Sequence, residues 1–403
     1  MVIVAIQVVL ALGLGLSLVH LLVRHAYANR YRHHILTTKS TEWVSPSVDA
    51  IVACYNEDPE LLEVCCASLA KQDYPGELSV YLVDDGSLNR PELRHVVERY
   101  GNRVNWNTRL LERNVGKRRA QDAVFRLGHG ELVVTVDSDT AVDPEGIRRI
   151  AEAFQDDRVG AATGLCLALN PARNLLTRLI AVRYRLLFEQ ERAAQSWFGA
   201  VLCCHGAFSA YRRTVLVECW DAYQRQTYAG VSCTTGDDLR LTNLVVAAGH
   251  RSVYAPLAKA RTQVPEALSE YALQQLRWSR SFYRELMCTL SALRDRHLYL
   301  FVEVASRATF PLVVLFGLAL GIATLLVGRS SGPVQGIGLL AILLAISAAV
   351  VLWQSRTFHY LLHGLLYLVV LPVHIYAIVT RGEARWETRT VPHRAPDGSR
   401  HGR

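Results

Sequence analysis

The sequence predicts an α/β domain on a parallel sheet, followed by a helical membrane-associated region, and three observations carry that prediction. Short β-branched runs ending in acidic residues alternate with helix-like pieces between 47 and 256. A long apolar segment opens the chain, and three more hydrophobic blocks come near its end. Between these regions, QQLRWSRSFYRE (274–285) sets Gln274, Arg277, Trp278 and Ser281 at i, i+3, i+4 and i+7. A helix ordinarily lines up its apolar core stripe at that spacing, yet this stripe is polar.

With 403 residues, 51% of them hydrophobic, the chain has room for two or three units at about 150 residues each. Residues 1–24 form the first: 2–23 is interrupted only by Gln7, Ser17 and His20, and its length suits a hydrocarbon core of about 30 Å. It lacks the basic start and small-residue cleavage site of a leader, so it reads as an anchor. Arg24, Arg30, Arg32 and Lys39 follow with no acid before Glu42, which marks the adjoining domain as cytosolic. The expectation is a multi-pass protein of the cell membrane.

Nine cysteines occur without C-x-x-C pairs or metal-site spacing, so reduced thiols are expected. The formal charge of +8 is scattered or flanks hydrophobic segments, with no nucleic-acid motif beside it. Lipid headgroups and sugar phosphates are therefore the expected anionic partners, and nucleic acid is not.

The strands come in order as VDAIVACY (48–55), LSVYLVDD (78–85) and ELVVTVDSD (131–139), with helices over 60–72 and 116–127. Residues 45–262 make the soluble domain, and its acids sit at the carboxyl ends of strands, where such sheets bind ligands. Residues 263–297 follow as amphipathic interface helices. Residues 298–380 are membrane or interfacial helices: 298–327 carries Glu303, Arg307 and Pro311, 334–353 is a cleaner span, and 358–380 is broken by His359, His363, Pro372 and His374. Reading 358–380 as interfacial keeps the basic tail, 381–403, on the cytosolic side.

Four constellations carry chemistry. Asp137 and Asp139 end a strand two residues apart, so both carboxylates face one side and suit a hard divalent cation; an acidic turn is the plainer reading. Asp85 precedes Gly86 in VDDGS and suits a base or ribose, although D-D-G is also a common turn. Lys117, Arg118 and Arg119 follow Gly116 at a helix start, which favours an anion, or else form a solvated basic face. Asp237 and Asp238 follow Gly236 at another helix start, where one is a general base or both serve as caps. Together these parts describe transfer from a nucleotide-activated donor, with cations on the diphosphate and a base on the acceptor hydroxyl. No Walker A sequence or kinase glycine loop supports a kinase.

YNEDPELL, VDDGS, NVGKRRAQ, VDSDT, NLLTRL, ERAAQS, CCHGAFSAYRR, GDD with LTN, and QQLRWSRSFYRE stand in this order along most of the chain. In that order they resemble the processive family-2 glycosyltransferases, in particular membrane hyaluronan synthases and rhizobial chitooligosaccharide synthases. The resemblance implies a GT-A nucleotide-sugar-binding domain that uses UDP-sugars with Mg²⁺ or Mn²⁺ and inverts the anomeric carbon. It places Asp85 on uridine, Lys117 on the donor phosphates, Asp137 and Asp139 on sugar, diphosphate and metal, and Asp238, beside Asp237, as base. Gln274, Arg277 and Trp278 become the Q-x-x-R-W motif, with Arg277 near the diphosphate and Trp278 under the acceptor sugar. Cys204, His205 and Gly206 match the acceptor-site stretch. Trp386, Thr388 and Arg389 resemble a W-x-T-R tail that contacts the nucleotide site.

The chain departs from the pattern where Leu239 and Arg240 follow GDD, where His205 and Ala207 stand for Ser and Pro, and where Glu387 stands for Gly. The single N-terminal span resembles chitooligosaccharide synthases; VDSDT, GDD, SRSFYRE and WETR resemble hyaluronan synthases. The resemblance thus implies hyaluronan synthesis from UDP-GlcNAc and UDP-glucuronate first, extending a polysaccharide acceptor and coupled to its export. A chitooligosaccharide synthase using UDP-GlcNAc alone is the alternative. A non-catalytic sugar-binding or export protein should have lost an acid or the Q-x-x-R-W residues, and none is missing.

Overall fold

In β1 (Val48–Cys54), Val48, Ala50, Val52 and Cys54 enter one apolar cluster and Ile51 another. The alternation follows from the period-2 pleat of a strand covered on both faces. β2 (Leu78–Asp84) and β4 (Leu132–Asp137) divide in the same way, with Val80 and Leu82 opposed to Val83, and Val134 and Val136 opposed to Val133. The computed structural model describes residues 2–37, 44–326 and 366–382.

The remaining strands are β3 (Trp106–Leu110), β5 (Thr140–Val142), β6 (Val159–Ala168), β7 (Phe208–Arg212), a small hairpin of β8 (Thr227–Tyr228) and β9 (Val231–Ser232), and β10 (Arg251–Thr262). All but the hairpin join one sheet in the order β3-β2-β1-β4-β7-β6-β10-β5. The sheet is mixed rather than parallel: β7 runs antiparallel to β4 and β6, and β5 antiparallel to β10. The 169–207 connection from β6 to β7 is long enough to deliver β7 in either direction, so its length does not fix the reversal.

The helices, in chain order, begin with α1 (Val2–Thr37), α2 (Pro59–Leu69), α3 (Arg90–Gly101), α4 (Lys117–Phe125), α5 (Gly146–Ala151), α6 (Leu175–Leu186) and α7 (Ala193–Trp197). Then come α8 (Arg213–Gln224), α9 (Asp237–Ala247), α10 (Leu268–Ala292), α11 (Leu298–Leu326) and α12 (Leu366–Val379). Asp58 caps α2 by accepting from the Glu60 N–H, with Pro59 in the first turn. Asn174 and Thr177 form a reciprocal capping box on α6. A π-turn, Leu187–Arg192, joins α6 to α7.

Among the described residues no helix is long and apolar enough to cross a membrane. The 334–353 span and the tail from 383 onward, Trp386, Thr388 and Arg389 included, lie outside the described residues. α11 continues through Pro311 as one helix. α12 lies along α10, where the Arg280 Nε donates to Thr380 Oγ1 at 3.0 Å and the Tyr283 and His374 rings meet edge to face at 5.9 Å.

Candidate active site

The carboxyl edge of the sheet gathers the acids. Asp84 and Asp85 end β2 and divide their work. Asp84 Oδ1 accepts from the Ser87 N–H at 3.0 Å, and Oδ2 pairs with Arg90. Asp85 accepts from the backbone N–H groups of Val115 and Gly116, at 2.8 and 2.9 Å. Burial raises the Asp85 pKa, and those two amides offset part of the rise. Gly86 (φ +71°) makes this approach possible, since a Cβ there would stand 2.3 Å from the Arg113 carbonyl carbon. Asp85 thus ties the β2 loop to the start of α4 and keeps lone pairs on both oxygens.

Lys117 and Arg118, consecutive in the first turn of α4, diverge. The Lys117 ammonium pairs with Asp137 Oδ1 at the end of β4. Burial pulls the Lys117 pKa down, but Asp137, Asp237 and Asp238 outweigh it, and the net shift is upward. Gly206 closes over this pair: a Cβ there would lie 3.2 Å from Lys117 Nζ and 3.9 Å from Asp137 Oδ1. Arg118 turns the other way and holds Asp237, its Nε and Nη2 lying 2.9 and 2.6 Å from Asp237 Oδ1.

Asp237 and Asp238 open α9, but the capping residue is Gly236 (φ +84°), with no side-chain cap. Burial pushes the Asp237 pKa up, and Arg118 opposes it. Asp238 pairs with no cation among the described residues; its Oδ1 accepts from the Leu239 N–H at 2.9 Å. Its charge reaches both Lys117 and His205. Of the two acids, Asp238 is the one placed to receive a proton.

His205 sits in a ring of aromatics, with Tyr184, Phe188 and Trp278 centroids at 6.2, 6.0 and 6.1 Å, all near edge-to-face. The Ala207 N–H donates to His205 Nδ1 at 3.2 Å, which assigns the proton to Nε2. Burial lowers the His205 pKa, so the ring is neutral. Cys204 is fully buried beside it, its N–H donating to Thr242 Oγ1 at 2.8 Å. All nine cysteines are free; burial pushes the Cys204 thiol up to about 12 and those of Cys65, Cys166 and Cys203 well above their usual range.

The stripe of α10 faces this site. Gly236 lies so close to α10 that a Cβ on it would meet Ser281 Oγ at 2.7 Å. Ser281 in turn donates to the Arg277 carbonyl at 2.9 Å. Trp278, one turn earlier on the same face, stands 6.5 Å from Tyr184. Gln274 Oε1 is shielded from solvent with no hydrogen-bond partner among the described residues. Arg280 and Arg284 are 5% and 6% exposed, so a headgroup-facing role, the plain expectation for arginines on an amphipathic helix, does not describe them. Arg280 meets α12, and Arg284 donates to the Thr235 carbonyl and hydroxyl at 2.7 and 3.0 Å. Arg240, displaced by one position in GDDLR, points to α10 and lies 3.5 Å from Glu285 Oε2.

Two residues at the site carry no signal of their own in the sequence. Glu57, 5% exposed, accepts from the Ser138 hydroxyl between Asp137 and Asp139; its position just past β1 in YNED is the only clue. Thr262, at the end of β10, donates to Asp139 Oδ1 at 3.1 Å. Among the described residues no group of three or more His, Cys, Asp or Glu forms a ready metal cage. The donor set of Asp137 and Asp139 still fits Mg²⁺ or Mn²⁺, because such ions are commonly held by one or two carboxylates plus substrate phosphates and water.

The family profile described as "Glycosyltransferase like family 2" matches residues 46–281, and one described as "Chitin synthase" matches 232–388. An N-acetylglucosaminyltransferase of Mesorhizobium japonicum is 41% identical over 349 residues, covering 86% of this chain and 82% of that protein. Another, from Sinorhizobium fredii, is 40% identical over 357 residues, covering 88% and 86%. Among solved structures, the mannosyltransferase PcManGT from Pyrobaculum calidifontis, in complex with GDP-Man and Mn²⁺, superposes with a TM-score of 0.63. At 21% identity, over 94% of this chain and all of that one, this is a likeness of fold. The chain is a transferase on a GT-A fold, and it belongs to the family-2 glycosyltransferases, with the rhizobial N-acetylglucosaminyltransferases and chitin synthases among its relatives.

Proposed function

We propose that this protein is a UDP-GlcNAc-dependent, inverting N-acetylglucosaminyltransferase that extends a chitooligosaccharide at the cytosolic face of the cell membrane. The observation that carries the sugar is the shared identity of two N-acetylglucosaminyltransferases over most of their length and of this chain. It favours GlcNAc-only synthesis over the hyaluronan reading that VDSDT, SRSFYRE and WETR suggest.

In this reading Asp85 takes the uridine with its remaining lone pairs. Lys117, which spends one of three ammonium hydrogens on Asp137, offers the others to the donor phosphates. Asp137 and Asp139 hold Mg²⁺ or Mn²⁺, which when bound neutralises charge on the departing diphosphate. Trp278 supplies a platform for the acceptor sugar, and Gln274 Oε1 an unused acceptor for one of its hydroxyls. That sugar's hydroxyl oxygen bonds to the anomeric carbon as the bond to UDP breaks, and Asp238 receives the hydroxyl proton. The apolar 2–23 segment with its basic flank supports membrane attachment, and a growing polar chain beneath a membrane needs an outlet, which the protein's own helices would line.

The test is incubation of full-length protein and Mg²⁺ with labelled UDP-GlcNAc, with and without UDP-glucuronate, followed by chitinase or hyaluronidase. Product from UDP-GlcNAc alone that chitinase digests is expected. Product that needs both donors and yields to hyaluronidase would replace this reading with hyaluronan synthesis. In sealed vesicles with donor outside, export predicts product protected from added chitinase until detergent is supplied.

A further inference from the structure

Arg118 is 7% exposed and leaves no side of its guanidinium idle. Besides Asp237 it donates to the Tyr223 carbonyl through Nη1 at 2.8 Å and to Gln226 Oε1 through Nη2 at 2.7 Å, and it lies 4.5 Å from the Tyr223 ring centroid. The chain of partners continues: Gln226 Nε2 donates to Glu285 Oε1, and Glu285 Oε2 accepts from Arg240 Nη1 at 3.5 Å and Asn243 Nδ2 at 3.3 Å. Gln226, Glu285 and Asn243 are 4%, 3% and 5% exposed. A buried ionic network of this size gains little stability over well-packed apolar residues, and what it supplies is fixed geometry among its members.

We propose that Arg118 is a positioning residue for the base. Its Nε–H donates to Asp237 Oδ1, with Nη2 2.6 Å from the same oxygen, and this grip fixes the first turn of α9, which aims the next carboxylate, Asp238, at the acceptor site. The same turn of α4 carries Lys117, whose ammonium holds Asp137 on the donor side. Successive helical residues point about 100° apart, so one turn brackets both halves of the reaction and sets the distance between leaving group and base. Through Gln226 and Glu285 the bracket extends to α10, which carries Trp278. Asp237 is therefore a structural partner of Arg118 and not a second base. This inference rests on the assignment of Asp238 as base in the function proposed above.

The test uses the full-length protein and whichever UDP-sugar the wild type turns over, so a wrong donor shows in the wild type and a wrong role for Arg118 only in variants. Arg118→Lys keeps the charge and loses the planar guanidinium that reaches Asp237, the Tyr223 carbonyl and Gln226 at once: kcat should fall at least about 30-fold, while the UDP Kd by calorimetry stays within about threefold. Asp237→Asn keeps the Oδ1 acceptor and the shape, and should retain kcat within about fivefold. Asp237→Asn decides the matter if Arg118→Lys does not fold. A loss beyond about 100-fold in Asp237→Asn, with UDP binding intact, would show that Asp237 itself meets the reacting atoms and would overturn the proposal. So would an Arg118→Lys enzyme within about threefold of wild-type kcat, or one whose UDP Kd weakens in step with kcat.

Discussion

Asp238 and His205 show how differently two residues of one site are tuned. Asp238→Asn should abolish transfer while UDP binding by calorimetry stays within about twofold, because the amide keeps the shape and loses the proton acceptor; surviving transfer would mean that another group is the base. His205 is predicted to leave a mark on stability. An exposed imidazole titrates at about 6.5, and burial holds His205 below that value. Asp238 and Asp137 pull its pKa up, Arg192 and Lys117 push it down, and desolvation prevails. Between the folded value and 6.5 the unfolded chain binds the extra proton, so this stability is full above about pH 6.5 and is lost as pH falls below it. Thermal unfolding from pH 7.5 down to 5 should therefore show a slope that His205→Asn flattens; identical slopes would place the acid sensitivity elsewhere. The histidine was legible as a departure from the expected Ser, but its ring of Tyr184, Phe188 and Trp278 was not, because Tyr184 and Phe188 lie one helical turn apart and Trp278 comes from α10, far along the chain. Lys117 and Arg118 were equally indistinct: two cations in one helical turn look alike until their partners, 20 and 119 residues away, are placed.

At the scale of elements, the legible strands were those that end in acids. β1, β2 and β4 announce themselves by apolar alternation, whereas β3, half-exposed at the sheet edge, and β7, short and reversed, carry no such pattern. Nothing local to β7 reports its direction, because the 169–207 connection from β6 could deliver it either way. The α10 stripe was legible in part: its polarity was plain, but the burial of Arg280, Arg284 and Glu285 did not show, since all three look like surface charges. Contact between Gly236 and Ser281 gives a test of how α10 meets the turn that carries Asp238. Gly236→Ala adds strain at φ +84° and a clash at 2.7 Å, so kcat should fall about tenfold or more with the chain still folded. Adding Ser281→Gly removes the clash but not the strain and should restore part of the loss; no restoration would mean that the left-handed turn alone matters. Glu285→Ala strips the partner from Arg240, Gln226 and Asn243 at once and should cost about 3 kcal/mol or more of stability, with Glu285→Gln milder by thermal unfolding.

For the whole molecule, the N-terminal helix is part of the folded unit. Its second half is built into the catalytic unit: the Tyr27 ring meets Phe198 at 4.7 Å, the Tyr31 hydroxyl donates to the Tyr254 carbonyl in β10, and His25 lies 3.1 Å from Gln190 in the π-turn. That turn carries Phe188, which touches both Tyr254 and His205. Higher up, Glu303 of α11 accepts from Arg24 at 3.0 Å and Tyr299 at 3.0 Å, and lies 2.7 Å from His20. A path of packed side chains therefore runs from residues 20–31 to His205. The prediction is an asymmetry between the two halves of α1. Replacing 2–19 by an unrelated apolar helix should leave transfer within about threefold of wild type, because the contacts made by residues 20–31 are kept. Extending the replacement to residue 37, with the attachment unchanged, should lower the unfolding temperature and cut transfer at least about tenfold, because the π-turn loses the surface it packs on. Equal activity of the two chimaeras, measured in the same vesicles, would show that α1 serves attachment alone and that the geometry of His205 is set without it.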